Sequence, residues 1–152
     1  ELEALGWIDS RRPKMIAVQA VTCAPIVKAF HTGADHAELW PDAQTVASGI
    51  RVPVAIGDFL ILKALRESRG TAIAVTDEEI LESQKILAKQ TGILLCPEGA
   101  ATAAALIKAR QNGTITAGAK VVLFNCASGL KYPMPGLVQT FEPGQDIVTV
   151  LD

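Results

Sequence analysis

Apolar positions along the chain fall into short blocks separated by longer stretches in which they recur every three or four residues. Four of the blocks are nearly continuous β-branched or aliphatic runs, at 15–20, 71–75, 121–124 and 147–151. Runs without polar alternation predict strands covered on both faces, as in a parallel sheet. The intervening stretches carry helix signals. Thr76-Asp77-Glu78-Glu79 reads as a capping box, with Thr76 as N-cap and Glu79 three residues on. The helix it opens places Ile80, Leu87 and Ala88 on one stripe and stops at Gly92. Asp58 is placed to cap a helix over 59–68, ending before Gly70. Pro97 suits a first helical turn, and Gly99-Ala100-Ala101-Thr102-Ala103-Ala104-Ala105 follows as a body of small residues, with a stop at Gly113. Strand, helix and strand in repetition give an α/β class with a mostly parallel sheet and flanking helices. Pro133, Pro135 and Pro143 bring the chain out of the run at 121–124 into an extended tail.

Composition narrows the partners. The 152 residues suit one domain, and 49% are hydrophobic but only 5% aromatic, so the apolar mass is aliphatic and disorder is excluded. Fourteen basic against sixteen acidic side chains leave a net charge of −2 with no basic stripe, so no nucleic acid is expected as a partner. No apolar run approaches the ~18 residues of a membrane span, and Glu1-Leu2-Glu3 is unlike a signal-peptide opening. No membrane partner is expected either. Cys23, Cys96 and Cys126 are odd in number, far apart and without a C-x-x-C pair. They read as small apolar residues in a reducing cytoplasm, with no disulfide framework and no metal site. His31 and His36 are five apart, which on a helix separates them by about 140°. They are expected as exposed loop residues that share no metal.

Ligands of open α/β sheets collect beyond the carboxyl ends of the strands. That rule selects 19–25, 76–78 and 125–131. Asn125-Cys126-Ala127-Ser128-Gly129 offers polar side chains and a flexible glycine after an apolar run, which suits either a binding loop or an ordinary turn. Gly113 and Gly118 have phosphate-loop spacing, but Ala119 stands where the lysine belongs. No dinucleotide fingerprint and no hydrolytic set of nucleophile, base and orienting acid is recognisable.

Several stretches taken in order carry more than any one alone. Pro13-Lys14-Met15-Ile16-Ala17-Val18-Gln19-Ala20 followed by Cys23-Ala24-Pro25 resembles the strand and turn of the threonine synthase family. The stretch from Gly70 through Thr76-Asp77-Glu78-Glu79 to Leu81, then Gly92-Ile93, Cys96-Pro97-Glu98-Gly99-Ala100-Ala101 and Ser128-Gly129-Leu130-Lys131, keeps that family's order and spacing. The resemblance covers nearly the whole chain. It implies a pyridoxal-phosphate-dependent lyase of the tryptophan synthase β-subunit class (fold type II), cytoplasmic and homodimeric, acting on a small amino-acid substrate. The family reaction turns O-phospho-L-homoserine and water into L-threonine and phosphate, a step of threonine biosynthesis.

The same resemblance implies that residues 1–152 correspond to the C-terminal half of such an enzyme, part of its large domain. The family's Schiff-base lysine and its glycine-rich phosphate loop lie before the residues that Glu1 to Ile8 resemble. No catalytic residue is therefore expected in this segment, and the chain alone is expected to be inactive and not to hold the cofactor. Lys131 belongs to the Gly-Leu-Lys motif and is not nominated. Carried over by position, Cys126 stands where the family hydrogen-bonds the pyridine nitrogen; the family usually has Thr or Ser there, although related dehydratases use Cys. Ser128 is the fallback for that contact. Gly49 resembles the small residue against one face of the ring, and Glu98 a polar group beside it. An amino-acid dehydratase or ammonia-lyase on the same scaffold, or a non-catalytic stand-alone α/β module, are the alternative readings.

Overall fold

The computed structural model describes residues 1–133 and 143–144. Strands β1 (Ile16–Ala20) and β2 (Thr71–Val75) pair in parallel, with Ile16 opposite Thr71 and Ala20 opposite Val75. Four helices accompany them: α1 (Pro25–Thr32), α2 (Asp58–Glu67), α3 (Asp77–Thr91) and α4 (Pro97–Gln111). Short 3₁₀ turns occupy Ser48–Ile50 and Gly129–Lys131.

The period of two along β2 divides the core into two layers. Ala72 packs with Ile26 and Ala29 of α1 and with Leu62 and Leu65 of α2. Ile73 and Val75 belong to the opposite cluster, with Ile80 of α3 and Ala100, Ala101, Ala104, Ala105 and Ala109 of α4. A strand buried on both faces needs apolar residues at every position, so the sequence shows a run and not an alternation. Alternation survives in space, where Ala17 of β1 joins the first cluster while Ile16 and Val18 join the second.

Helix α3 begins as expected. Thr76 Oγ1 accepts from the Glu79 N–H at 3.1 Å, and Glu79 Oε2 accepts from the Thr76 N–H at 2.8 Å, closing the capping box. Gly92 ends the helix at φ 72°, a conformation that favours glycine. The same Glu79 Oε2 takes a bond from Lys108 Nζ at 2.8 Å, and that ammonium also donates to the Ala74 carbonyl at 3.0 Å. One cap thus ties α3, α4 and β2 together. Asp58 begins α2 itself and does not stand before it; its carboxylate accepts from the N–H groups of Phe59 and Ala37, each at 2.6 Å.

Two expectations are corrected. Residues 121–124 form no strand: they have no ladder partner among the described residues, and Val122 and Phe124 are 94% and 75% exposed. Apolar sequence makes a strand only where its backbone meets a partner, and this run pairs with neither β1 nor β2. Helix α1 has no part in the sequence reading, which selects 19–25 only as a place where a ligand could sit. Gln19, 8% exposed, instead caps that helix, its Oε1 accepting from the N–H groups of Ile26 and Val27 at 2.9 and 3.1 Å. His31 is not in a loop but in α1, with Nε2 at 2.9 Å from the Ala72 carbonyl. The expected strand at 147–151 and most of the proline-bearing tail lie outside the described residues. Among the described residues no helix is long and apolar enough to cross a membrane.

The capping box makes a measurable claim. Thr76→Ala removes the side-chain acceptor and frees Glu79 from its reciprocal bond, so urea unfolding should show a loss of about 1 kcal/mol. A loss well below ~0.5 kcal/mol would mean that the Lys108 bridge alone holds this end of α3.

Candidate functional site

A cleft of about 310 Å³ opens beside β1 on the α4 side of the sheet. Ile16 and Val18 come from β1, Gly49 and Ile50 from the first 3₁₀ turn, and Glu98, Ala101 and Thr102 from α4; Phe124, Cys126 and Tyr132 complete the lining. The cleft runs along β1, not beyond its carboxyl end. Of the three stretches selected by the strand-end rule, only 125–131 reaches it, through Cys126.

Local chain packing explains how these residues meet. Segment 94–96 runs against 127–129: Cys96 N–H donates to the Ala127 carbonyl at 3.1 Å, and Gly129 N–H to the Leu94 carbonyl at 2.9 Å. Cys96 is then the N-cap of α4, its Sγ accepting from the Gly99 N–H at 3.3 Å. Gly99 faces Asn125 so closely that a Cβ would collide with the Asn125 side chain, and a Cβ on Gly129 would lie 2.5 Å from the Leu95 carbonyl. These two glycines let the 125–129 segment lie directly on the start of α4. Cys126 thereby comes beside Cys96 and Glu98, with the two sulfurs 3.7 Å apart.

Glu98 is 6% exposed. Its Oε1 accepts from the Gly49 N–H at 2.6 Å, while its Oε2 is buried with no hydrogen-bond partner. Burial opposes the charge, yet the N–H groups of Glu98 itself and of Gly49, with the Tyr132 and Cys96 side chains nearby, outweigh it and hold the carboxyl below its ordinary range. Gly49 has to be glycine for this contact, since a Cβ there would sit 2.8 Å from Oε1. The carboxylate acts back on its neighbours. Lying near the Tyr132 hydroxyl, it pushes that phenol, together with desolvation, up to about 12. Burial, reinforced by Cys96, pushes the Cys126 thiol up as well. At neutral pH the lining therefore presents one carboxylate, a neutral thiol and a neutral phenol among aliphatic walls.

Three of the four residues nominated from the sequence, Gly49, Glu98 and Cys126, are brought together. Ser128 does not line the cleft; its Oγ accepts from the Leu130 N–H at 3.3 Å and caps the second 3₁₀ turn. Tyr132 and Cys96 join them without having been singled out by sequence. Tyr132 is separated from its partner by thirty-four positions, and no spacing rule joins them. For Cys96 a signal is present, a small polarisable residue directly before the proline of a helix start.

Tyr132 is the chain's single tyrosine, so phenolate absorbance reports it alone. Its raised value favours the protonated folded state up to about pH 10, and that preference is lost as pH rises towards 12. Glu98→Gln removes the charge that opposes phenolate. An alkaline spectrophotometric titration should find the midpoint moved down towards 10, whereas an unmoved midpoint would separate Tyr132 from Glu98.

The family described as "Pyridoxal-phosphate dependent enzyme" matches residues 2–127. Among curated proteins, the chain is 37% identical to the threonine synthase of Methanocaldococcus jannaschii and 41% identical to that of Methanosarcina acetivorans, each over 143 residues, which is 94% of this chain and 35% of the relative. It is 35% identical to the threonine synthase of Mycobacterium leprae over 133 residues, 88% of this chain and 34% of that protein. The chain thus spans about a third of the length of the curated relatives it matches. Among solved structures, a threonine deaminase from T.th. superimposes with a TM-score of 0.52 at 23% identity, covering 61% of this chain and 33% of that one, a likeness of fold. The matched region contains every lining residue of the cleft from Ile16 to Cys126, and the chain belongs to the family of pyridoxal-phosphate dependent enzymes.

Proposed function

We propose that the cleft receives the ring of pyridoxal phosphate and that these residues serve a threonine synthase, converting O-phospho-L-homoserine and water to L-threonine and phosphate. The observation that carries this reading is the meeting of Gly49, Glu98 and Cys126 around one cleft. All three are nominated for ring contacts by the family resemblance, and they come from three separate segments. The identity of 37–41% with two threonine synthases over 94% of the chain supports the choice of reaction.

The lining fits the ring and not the phosphate. Aliphatic side chains of Ile16, Val18 and Ile50 suit a flat apolar body, and an unsatisfied Glu98 Oε2 suits a polar group beside it. Among the described residues no lysine and no glycine-rich anion loop lines the cleft.

When bound, pyridoxal phosphate supplies an electron sink for carbanion chemistry at the substrate. The contribution of this chain is electrostatic and steric. Cys126 would offer the ring nitrogen a neutral, weak partner, since local desolvation and the neighbouring Cys96 push its thiol up and it adds no charge there. A carboxylate in that place would favour a protonated nitrogen. Glu98 keeps its charge through Gly49, at a distance fixed by a backbone N–H. Tyr132, which also lines the cleft, stays protonated and adds no charge there. Ile16 and Val18 give the ring position an apolar wall.

The test uses the holoenzyme that contains these residues. Inorganic phosphate release from O-phospho-L-homoserine is expected, and Cys126→Asp should lower its rate at least about tenfold, the equivalent of ~1.4 kcal/mol in the barrier. Ammonia release from threonine with no phosphate release would replace this reading with that of a dehydratase. Unchanged rates in Cys126→Asp would remove Cys126 from the ring.

A further inference from the structure

Cys96 and Cys126 are 30 positions apart and share no metal-binding spacing, yet the pairing of 94–96 with 127–129 sets their sulfurs 3.7 Å from each other. The Glu98 carboxylate completes a group whose donor atoms all lie within 4.8 Å of one another. We propose that Cys96, Glu98 and Cys126 form a three-ligand site for a soft divalent cation of the zinc class.

Two independent features point to a ligand here. The first is the sulfur separation. Two thiolates each ~2.3 Å from a tetrahedral zinc stand roughly 3.8 Å apart, close to the observed spacing, whereas a disulfide would need them at ~2.05 Å. The second is Glu98 itself, 6% exposed, with Oε2 lacking any hydrogen-bond partner. A buried ionised oxygen without a donor is costly, and a cation is the strongest partner it can receive.

The donor set decides the class of metal. Two sulfurs and one carboxylate oxygen select zinc, cadmium or cobalt over magnesium or calcium, which take oxygen ligands. On binding, each thiol loses its proton to solvent, and the two thiolates and the carboxylate outweigh the cation's two positive charges. The Gly99 N–H already bonded to Cys96 Sγ persists when that sulfur is anionic, so the α4 start supports the ligand without rearrangement. Cys126 is exposed and gives the metal its way in, and the fourth position opens to the cleft. Because Glu98 and Cys126 also line the cleft proposed for the ring, metal and ring are alternative occupants, and the metal is taken up when the cleft is empty and the thiols are reduced.

The experiment titrates the purified chain, reduced and treated with chelator, with cobalt(II) chloride. A thiolate-to-cobalt charge-transfer absorbance should rise and saturate at one cobalt per chain, then vanish when zinc is added. Cys126→Ser should abolish the band, Cys23→Ser should leave it intact, and Glu98→Gln should weaken cobalt binding by about tenfold or more. A second measurement covers the case of a variant that does not fold. In the unmodified chain, zinc should protect Cys126 from iodoacetamide, as read by peptide mass. Absence of the band, its survival in a folded Cys126→Ser chain, or unprotected alkylation of Cys126 would each overturn the proposal.

Discussion

An ionised carboxylate taken out of water must be met by donors, and at Glu98 that demand organises the whole cleft. The donor nearest to it is the backbone N–H of Gly49, at 2.6 Å. A backbone donor cannot swing away, so the bond fixes the 48–50 turn against the start of α4 as firmly as a packed side chain would. It also forbids a side chain at position 49, where a Cβ would meet the carboxylate. From this one contact the electrostatics of the cleft follow. The carboxyl stays charged, and the phenol of Tyr132 and the thiol of Cys126 are kept neutral beside it. One oxygen is left over, and the polarity of the site is concentrated at that atom.

Helix α4 makes the approach possible. Gly99, Ala100, Ala101, Ala103, Ala104, Ala105 and Ala109 are all buried, so the helix is enclosed nearly all round and not along a single stripe. Alanine buries little area per residue but lets backbones come close. That proximity allows Lys108 to reach across to the Ala74 carbonyl and to Glu79. The same small side chains leave space beside Ile16 and Val18, and the cleft occupies that space. A larger residue at Ala101 or Thr102 would gain apolar contact and lose the site.

The parts of this fold that are legible in sequence are those encoded locally. The apolar run at 71–75 is β2 without change of bounds, and Thr76 to Glu79 form the capping box, because both signals are complete within a few residues. Pro25 at the first turn and Gly33 in the left-handed conformation mark α1 in the same local way, but the helix lacks a side-chain cap of its own. Its cap is Gln19, on the preceding strand, and a cap supplied from another element leaves no pattern in sequence. Buried polar residues on α3 hide for a related reason. Ser83 and Gln84 sit on the same inward face as Ile80, and Gln84 Nε2 is satisfied by the Leu95 carbonyl at 2.6 Å. A polar residue in a core looks like a surface residue until its partner is known. The pairing of Cys96 with Cys126 is invisible on the same ground, since spacing along the chain says nothing about two segments that glycines allow to touch.

The run at 121–124 shows why an apolar pattern can be read correctly and still be given the wrong role. Its hydrophobicity predicts a buried strand, but no ladder holds it among the described residues, and Val122 is almost wholly exposed. What its period of two does achieve is selection. Phe124 and Cys126, two positions apart, both line the cleft, while Asn125 between them lies against Gly99. Position is then set downstream of the run, by the two backbone bonds that clamp 127–129 to 94–96. Those bonds involve the residue before Pro97 and a glycine whose site has no room for a side chain. The placement of Cys126 therefore depends on the start of α4 rather than on the sheet. Glu98 is rooted in the same helical turn, so any movement of that turn carries the carboxylate and its neighbouring sulfurs together.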